Sequence, residues 1–318
     1  MARTRYGTDR GLIARMGVTM FLIGLVFLAF VAGIAILLAA FKAASTSAVI
    51  VLAVLIGLVV GWASYYFSDK IALRAAGARP VTPQEAPLLH GVVDRICALA
   101  DMPKPKVAIA PARMPNAFAT GRSSKVAVVC ATTGLLDTLG DNPTELEAVL
   151  AHEMSHVAHR DVAVMTIASV LGIIAGLMVR FSYYSELFGG GGRGRNDQGG
   201  YNALIMLGVL LISVVVYAIS FLLIRMLSRY RELAADRSAA QLTGRPSALA
   251  SALVKVSGDM QRIPVRDLRA AAPLNAFYFA PALSAGRARS SLAELFSTHP
   301  SLERRLRELD KISKQLSA

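Results

Sequence analysis

The sequence predicts a mainly α-helical membrane protein, in which four transmembrane helices interrupt a polar domain that contains a small β-sheet or hairpin. Three observations support this fold class. The 318 residues are 54% hydrophobic, which is high for a soluble domain. Four long runs carry no charged residue, and the polar segments between them contain helix-start signals and short strand-like runs.

The uncharged runs are the predicted transmembrane helices, and they extend over residues 16–41, 43–67, 162–179 and 201–224. A helix needs about 20 apolar residues to cross about 30 Å of hydrocarbon. The first, second and fourth runs exceed that length. The third run is at the short limit, so it forms either a full span or a buried or half-inserted helix.

The basic start of the first run also fits a cleaved signal peptide. The apolar stretch of a signal peptide is only about 7–15 residues long, and the run at 16–41 is far longer. We therefore predict an uncleaved membrane anchor.

Basic residues are unevenly distributed, and their distribution predicts the orientation. Residues 225–318 contain 16 basic and 8 acidic residues and so contribute +8 to the net charge of +13, while residues 1–15 contain four arginines and one aspartate. Because basic residues accumulate on the cytoplasmic side of membrane proteins, both termini are predicted in the cytoplasm. Either two or four spans satisfy this condition.

Four spans give the predicted domain organisation. A basic cytoplasmic tail (1–15) precedes two transmembrane helices (16–67) and the first polar segment (68–160). Two further apolar spans (161–224), with a Gly-rich loop at 188–200 on the outer side, lead to the second polar segment (225–318). The two polar segments then lie together on the cytoplasmic side and form one domain.

The basic excess and the cysteines indicate the surroundings of the protein. Contact with the anionic headgroups of the lipid bilayer explains the charge. Nucleic acid is not an expected partner, since the sequence has no basic patch interleaved with aromatic residues. Cys97 and Cys130 do not form a C-x-x-C pair, which fits free or buried thiols in a reducing compartment, although a disulfide is also compatible with the sequence.

The first polar segment contains a helix followed by strand-like runs. Thr82-Pro83-Gln84-Glu85 has the pattern of a capping box with proline at the first helical position, and the apolar residues after it recur at helical spacing as far as Leu99. Pro103 and Pro105 end this predicted helix. The short runs at 106–110, 117–121 and 125–131 predict the small sheet or hairpin.

A second capping pattern, Asn142-Pro143-Thr144-Glu145, predicts the start of another helix. No glycine or proline follows until Gly172. One continuous helix is therefore predicted from Pro143 into the third apolar run.

This helix contains the motif His152-Glu153-Met154-Ser155-His156, which has the pattern H-E-x-x-H. Two histidines four residues apart lie on one face of a helix, so both imidazoles can bind one zinc ion. The glutamate beside the first histidine can then act as a general base. The alternative is a solvated helix face with two ordinary histidines.

Catalytic zinc usually has three protein ligands and a water molecule, so a third ligand is needed. Glu232 follows the fourth apolar run, and Asp236 lies four residues later on the same helix face. Glu232 is the candidate ligand, and Asp236 can accept a hydrogen bond from the far ring nitrogen of a ligating histidine. The alternative is an exposed acidic pair among arginines.

Several segments together resemble a known family. They are 114–121 (MPNAFATG), 147–161, 229–236 and 295–300 (LFSTHP). They are similar to the HtpX-like membrane metallopeptidases, relatives of the type I CAAX prenyl proteases, and the resemblance extends over residues 3–309. The order of two apolar runs, motif helix, two apolar runs and acidic ligand is also similar.

The resemblance implies a gluzincin-type zinc endopeptidase domain at the cytoplasmic face of the plasma membrane, with one zinc ion per chain. Its substrates would be polypeptides, namely misfolded or surplus membrane proteins, as in membrane quality control and the stress response. The implied zinc ligands are His152, His156 and Glu232, and the implied base is Glu153.

Three further residues gain a role only through the resemblance. The resemblance implies that Asn116 begins an extended segment along the substrate backbone, that His299 hydrogen-bonds the substrate carbonyl, and that Arg305 supports the site. Taken alone, His299-Pro300 is more typical of a helix start with an incidental histidine. Ser301 departs from the family, which often has a second proline there.

Two other classes of function fit the same residues. One is a membrane scaffold or chaperone with a vestigial zinc site; an intact base, Glu153, argues against it. The other is a zinc hydrolase that acts on a non-peptide bond, such as a lipid ester or amide. A prenyl-protein protease is a narrower variant, but the chain lacks the additional spans of that branch.

Overall fold

The structure is a computed structural model that describes residues 10–40, 44–188, 198–262 and 297–317. In chain order its helices are α1 (Arg10–Ala40), α2 (Ala44–Tyr66), α3 (Ser68–Ala75), α4 (Pro87–Ala100), α5 (Thr133–Leu139), α6 (Pro143–Ala158), α7 (Asp161–Phe188), α8 (Gln198–Thr243), α9 (Pro246–Arg262) and α10 (Leu302–Ser317). Its strands are β1 (Arg79–Pro80), β2 (Lys106–Ala110), β3 (Ala117–Thr120) and β4 (Val128–Thr132).

The chain divides into two compact units. The polar unit comprises Met1–Arg15, Tyr65–Ala163 and Ser228–Ala318, and the apolar unit comprises Met16–Ser64 and Val164–Leu227.

The apolar unit contains the membrane helices. Among the described residues, three stretches are long and apolar enough to cross a membrane: Ile13–Leu37, Asp161–Arg180 and Leu204–Thr243. The second predicted span lies on α2, where the apolar stretch Val54–Tyr66 is shorter. With these helices and the small sheet, the predicted fold class, a mainly helical membrane protein, is confirmed.

Helices α2 and α7 approach closely because two glycines of α2 lie in their contact. A Cβ atom added to Gly61 would come within 2.8 Å of Val170, and one added to Gly57 would overlap Ile174. Small residues four apart are a common device for close helix packing in membranes. The spacing of Gly57 and Gly61 was a visible signal of this contact in the sequence.

The polar unit contains a mixed four-stranded sheet with the order β1-β2-β4-β3. Strands β2 and β4 are parallel, with Lys106 opposite Val128, whereas β3 pairs antiparallel with β4. The predicted strand at 125–131 begins later, at Val128, because residues 124–126 form a 3₁₀ turn. Strand β1 was not predicted, since two residues give no periodicity.

The predicted start of the first polar helix was wrong by four residues. Thr82 and Glu85 do form reciprocal hydrogen bonds, with the Thr82 N–H donating to Glu85 Oε2 at 2.7 Å. These bonds close a turn, and α4 begins only at Pro87. A residue before proline is disfavoured in the helical conformation, and Ala86 accordingly has φ −139° and ψ 65°.

The prediction of one continuous helix from Pro143 was also wrong. Helix α6 ends at Ala158, and α7 begins at Asp161. Between them, Arg160 adopts a left-handed conformation with φ 57°. No glycine or proline marks this break, so no local pattern predicts it. The predicted loop at 188–200 lies mostly outside the described residues, which resume at Gln198.

Helix α6 lies at the centre of the polar unit. It packs against α4, α9 and the edge strand β3. Most of its length is buried, including the side chains Leu146, Val149, Leu150 and Met154. The motif helix is therefore held on several sides by apolar packing.

Cys97 and Cys130 are buried and unpaired, and burial raises the pKa of their thiols to about 11 and about 12.

Candidate metal centre

Helix α6 presents the two motif histidines side by side. Their ring centroids are 5.0 Å apart, and the rings are nearly perpendicular. His152 and Glu153 are buried, whereas His156 is partly accessible. The helix starts where predicted, with the Asn142 side chain accepting a hydrogen bond from the Glu145 N–H and proline in the first turn. This capped, tightly packed helix gives the histidines a fixed spacing.

Helix α8 brings Glu232 to the same place. The Nε2 atom of His152 is 3.7 Å from Glu232 Oε2, and the Nε2 atom of His156 is 3.5 Å from Glu232 Oε1. One ligand atom from each of the three residues lies within 4.8 Å of the other two. Both histidines thus direct the same ring nitrogen towards one carboxylate.

These separations fit a shared zinc ion. Two ligands of a tetrahedral zinc, each at about 2.0–2.2 Å, are about 3.4 Å apart. The observed distances of 3.5 and 3.7 Å agree with this value and are too long for good hydrogen bonds. Two imidazoles and one carboxylate are also a usual donor set for catalytic zinc, in which the fourth position is taken by water.

The other ring nitrogens are bound to carboxylates. The Nδ1 atom of His152 lies 2.9 Å from Asp236 Oδ1, and the Nδ1 atom of His156 lies 2.5 Å from Asp161 Oδ2. A carboxylate at Nδ1 fixes the proton there and leaves Nε2 free for a metal. The sequence predicts this contact for Asp236 but not for Asp161.

Arg305 of α10 completes the surroundings of His152. Its Nε and Nη2 atoms donate to the two carboxylate oxygens of Asp236 at 2.7 and 2.6 Å. Arg305 is buried, so the paired charges lie in a medium of low polarity where such a two-pronged bond is strong. The structure therefore brings together Asp236 and Arg305.

His299 also reaches the site. Its Nδ1 atom lies 3.0 Å from Glu232 Oε2, and its Nε2 atom has no hydrogen-bond partner among the described residues. The segment that carries it is held by Arg229, which donates to the Ser297 carbonyl at 3.0 Å. His299 is buried beside the carboxylate, with one ring nitrogen available for another group.

Asn116 immediately precedes β3 and is buried. Its backbone N–H donates to the Thr132 hydroxyl at 2.8 Å, and its carbonyl accepts from the Thr132 N–H at 2.9 Å. Strand β3 is the edge of the described sheet and packs against α6. Asn116 thus immediately precedes the strand that adjoins the motif helix.

Burial and charge set the protonation of the site. Burial lowers the pKa of His156 to about 4, so this ring is neutral at pH 7. Burial also acts to lower the pKa of His152, but the neighbouring carboxylates of Asp236 and Glu232 outweigh it and raise the pKa to about 9. Burial raises the pKa of Glu153, which makes its carboxylate a better proton acceptor.

Comparisons with known proteins show the family of the chain. Residues 83–313 match the family described as Peptidase family M48. The chain is 57% identical over 315 residues to Protease HtpX homolog 1 of Streptomyces coelicolor, covering 99% of this chain and 97% of that protein. It is 50% identical to the Protease HtpX homolog of Moorella thermoacetica, covering 99% and 98% of the two chains.

A solved structure has a similar fold. The crystal structure of S. mikatae Ste24p aligns with a TM-score of 0.52 at 18% sequence identity, and the alignment covers 93% of this chain and 67% of that chain. At this identity the likeness concerns the fold alone.

Proposed function

The chain belongs to peptidase family M48 and is a membrane-associated zinc metallopeptidase, as the sequence predicted, and from that premise we propose that it is an endopeptidase for misfolded or surplus membrane proteins. The observation that carries this proposal is the group formed by His152, His156 and Glu232, with Glu153 buried beside it. We place the active site at the cytoplasmic face of the plasma membrane, with a role in protein quality control and the stress response.

The proposed zinc ligands are His152, His156 and Glu232, which would hold one ion per chain. When bound there, zinc supplies Lewis-acid activation of a water molecule. Glu153 accepts the proton of this water and later delivers it to the leaving amine of the peptide. Its buried position supports this role, because burial raises the pKa of the carboxyl and strengthens it as a base.

The remaining residues orient a zinc ligand, stabilise the oxyanion and contact the substrate. Asp236 and Arg305 hold the His152 ring. His299 donates a hydrogen bond from its free ring nitrogen to the oxyanion that forms on the substrate carbonyl. Asn116 and β3 contact the substrate backbone, since β3 is the edge strand of the described sheet and an extended peptide can add to such an edge.

Charge supports the proposed orientation. The segment 225–318 carries +8 of the net charge of +13, and basic segments are retained on the cytoplasmic side. We propose that residues 68–160 and 225–318 together form the peptidase domain, with 1–15 as a cytoplasmic tail and 16–67 and 161–224 as the membrane-spanning parts. Bilayer lipids and polypeptide substrates are the proposed partners.

Digestion of casein by the detergent-solubilised protein tests this proposal, with the wild type beside Glu153→Gln and both loaded with zinc. We expect peptide fragments from the wild type only, since loss of a general base reduces the rate by about 10²–10⁴-fold. Zinc content should be equal in the two proteins, because Glu153 is not a ligand.

Each other result has a defined meaning. Fragments from both proteins would show that Glu153 is not the base. If neither protein produces fragments although zinc is bound, the scaffold or chaperone is favoured. If the wild type instead hydrolyses a lipid ester or amide, the non-peptide hydrolase is favoured. Loss of zinc from Glu232→Ala, beside retention in Glu153→Gln, checks the third ligand separately.

A further inference from the structure

We propose that Asp161 and Arg231 are positioning residues that orient His156 for zinc and tie the motif helix to the helix that carries Glu232. The inference rests on the proposed function, because it takes His152, His156 and Glu232 as the zinc ligands. It concerns residues that the H-E-x-x-H pattern does not include.

The contact between His156 and Asp161 is short and largely shielded. Nδ1 of His156 is 2.5 Å from Asp161 Oδ2, and the two side chains are 17% and 12% exposed. On its opposite side, Nε2 of the same ring faces Glu232 at 3.5 Å. A proton held on Nδ1 by the carboxylate keeps the Nε2 lone pair directed at the metal position.

The break between α6 and α7 makes this contact possible. On one continuous helix a residue five positions after His156 would point about 140° away from it. Instead, Arg160 takes φ 57°, and the Arg160 N–H bonds back to the Val157 carbonyl at 3.1 Å. The chain turns here, and Asp161 becomes the first residue of α7 and reaches back to the ring.

The left-handed conformation of Arg160 supports a functional reason for the break. A residue with a Cβ atom is disfavoured in this conformation, and such residues persist where the surrounding structure requires them. Here the turn places the Asp161 carboxylate at His156 Nδ1.

Arg231 connects this carboxylate to the third ligand. Its Nη2 atom forms an ion pair with Asp161 Oδ1, and its side chain is 4% exposed. Arg231 immediately precedes Glu232 on α8. One Asp161 oxygen thus contacts His156, a proposed ligand on α6. The other contacts Arg231, which precedes the proposed ligand Glu232 on α8.

The same arrangement occurs twice in the site. His152 is bound to Asp236, which is bound to Arg305, and His156 is bound to Asp161, which is bound to Arg231. Each histidine therefore has a carboxylate at Nδ1 whose charge is balanced by a buried arginine. This repetition indicates that both chains of contacts serve the orientation of a ligand.

Zinc affinity, measured by competition with a chromophoric chelator, tests the proposal on the full-length protein in detergent. We expect Asp161→Ala to weaken zinc binding by about 10–100-fold, the usual effect of losing a group that orients a ligand. Asp161→Asn keeps an acceptor oxygen and should lose less. Arg231→Met should also lose less, and the double variant should be no weaker than Asp161→Ala, because both residues act through one contact.

Glu145→Gln is the matched control. Glu145 is a buried carboxylate on the same helix, held by Ser251 and Lys255 at 2.7 and 2.8 Å, and it lies seven residues before His152. We expect this variant to lower the thermal midpoint while zinc affinity stays within about twofold of the wild type.

The outcomes separate this proposal from the proposed function. If the wild type and His156→Ala both fail to bind zinc, the metal site itself is wrong. If the wild type binds zinc and His156→Ala does not, but folded Asp161→Ala binds as tightly as the wild type, only this inference is overturned. Should Asp161→Ala not fold, wild-type affinity in both Asp161→Asn and Arg231→Met would overturn it equally.

Discussion

At the scale of single residues, the main feature of the site is that charges are buried in linked pairs. Asp236 and Arg305 are both almost fully shielded, at 1% and 2% side-chain exposure. Two buried opposite charges are tolerated only when geometry and hydrogen bonds are good, and here two bonds of 2.7 and 2.6 Å join them. The His152 ring is bound to Asp236 through its Nδ1 atom, so this pair holds the ring in a fixed position.

Arg305→Met should therefore lower the stability of the folded protein. Removal of one partner leaves Asp236 buried with its charge uncompensated, which costs about 3–5 kcal/mol of stability. Zinc retention should fall as well, because Asp236 is then free to move away from His152. Thermal unfolding and zinc content measure the two effects.

Arg304→Met is the control for this substitution. Arg304 precedes Arg305 on α10 and is exposed, so its loss should change the free energy of unfolding by no more than about 0.5 kcal/mol. Equal stability of the two variants would contradict the importance given to the buried pair.

Those site residues that are related by regular helix geometry are predictable from the sequence. The separations of His152 from His156 and of Glu232 from Asp236 are four residues, and both pairs lie on one helix face as expected. Asp161 could not be found in this way, because its contact depends on the unmarked turn at Arg160. His299 and Arg305 were found only through the family resemblance, since tertiary packing alone brings α10 to α8.

At the scale of elements, Thr132 joins the sheet to the helices behind the site. Its hydroxyl accepts from the Asn116 and Leu135 N–H groups at 2.8 and 3.1 Å, and it donates to the Met114 carbonyl at 2.8 Å. The same residue ends β4 and caps α5. One side chain thus fixes the start of β3, the strand proposed to contact the substrate.

Thr132→Val should loosen this junction. The isosteric change leaves buried N–H groups without an acceptor, which costs about 1–3 kcal/mol per group. If β3 contacts the substrate, KM should rise more than kcat falls, because zinc and Glu153 are unchanged. Thermal unfolding and casein kinetics check the two expectations.

Two controls accompany this variant. Thr132→Ser keeps the hydroxyl and should restore most of the loss. Thr133→Val removes a neighbouring, exposed hydroxyl with a single bond to Ala112 and should cost less than about 1.5 kcal/mol. A wild-type KM in a folded Thr132→Val protein would argue against β3 as the substrate strand.

The elements were predictable where a local signal decides them. Strand β2 lies where expected, and α6 begins at Pro143 because the Asn142 cap is a local hydrogen bond. The reciprocal hydrogen bonds of the pattern at Thr82 do form, but they close a turn. The helix begins later, at Pro87, because the residue before a proline is disfavoured in the helical conformation. The sheet order could not be predicted, since β4 pairs with both β2 and β3 through contacts that no local pattern encodes.

At the scale of the whole molecule, the apolar helices and the distribution of charge constrain the number of bilayer crossings. Three stretches have the required length and composition, and the basic excess of residues 225–318 predicts a cytoplasmic C-terminus. Two crossings and four crossings both satisfy that terminus. They differ in the side on which residues 188–200 lie.

Cysteine labelling with a membrane-impermeant maleimide in intact cells distinguishes these arrangements. Lys314 is 75% exposed in a surface ion pair with Asp310, so Lys314→Cys should be well tolerated. Gly192→Cys places a thiol in the Gly-rich stretch. Background labelling should be low, because Cys97 and Cys130 are buried and their raised pKa keeps the thiols neutral.

With four spans, Gly192→Cys should be labelled in intact cells, and Lys314→Cys only after the membrane is permeabilised. Protection of both positions until permeabilisation would instead indicate two crossings, with the runs at 162–179 and 201–224 not passing through the bilayer. Labelling of Lys314→Cys in intact cells would contradict the cytoplasmic C-terminus. Because Glu232 and His299 follow the last apolar run, that result would also move the proposed site of proteolysis to the outer face.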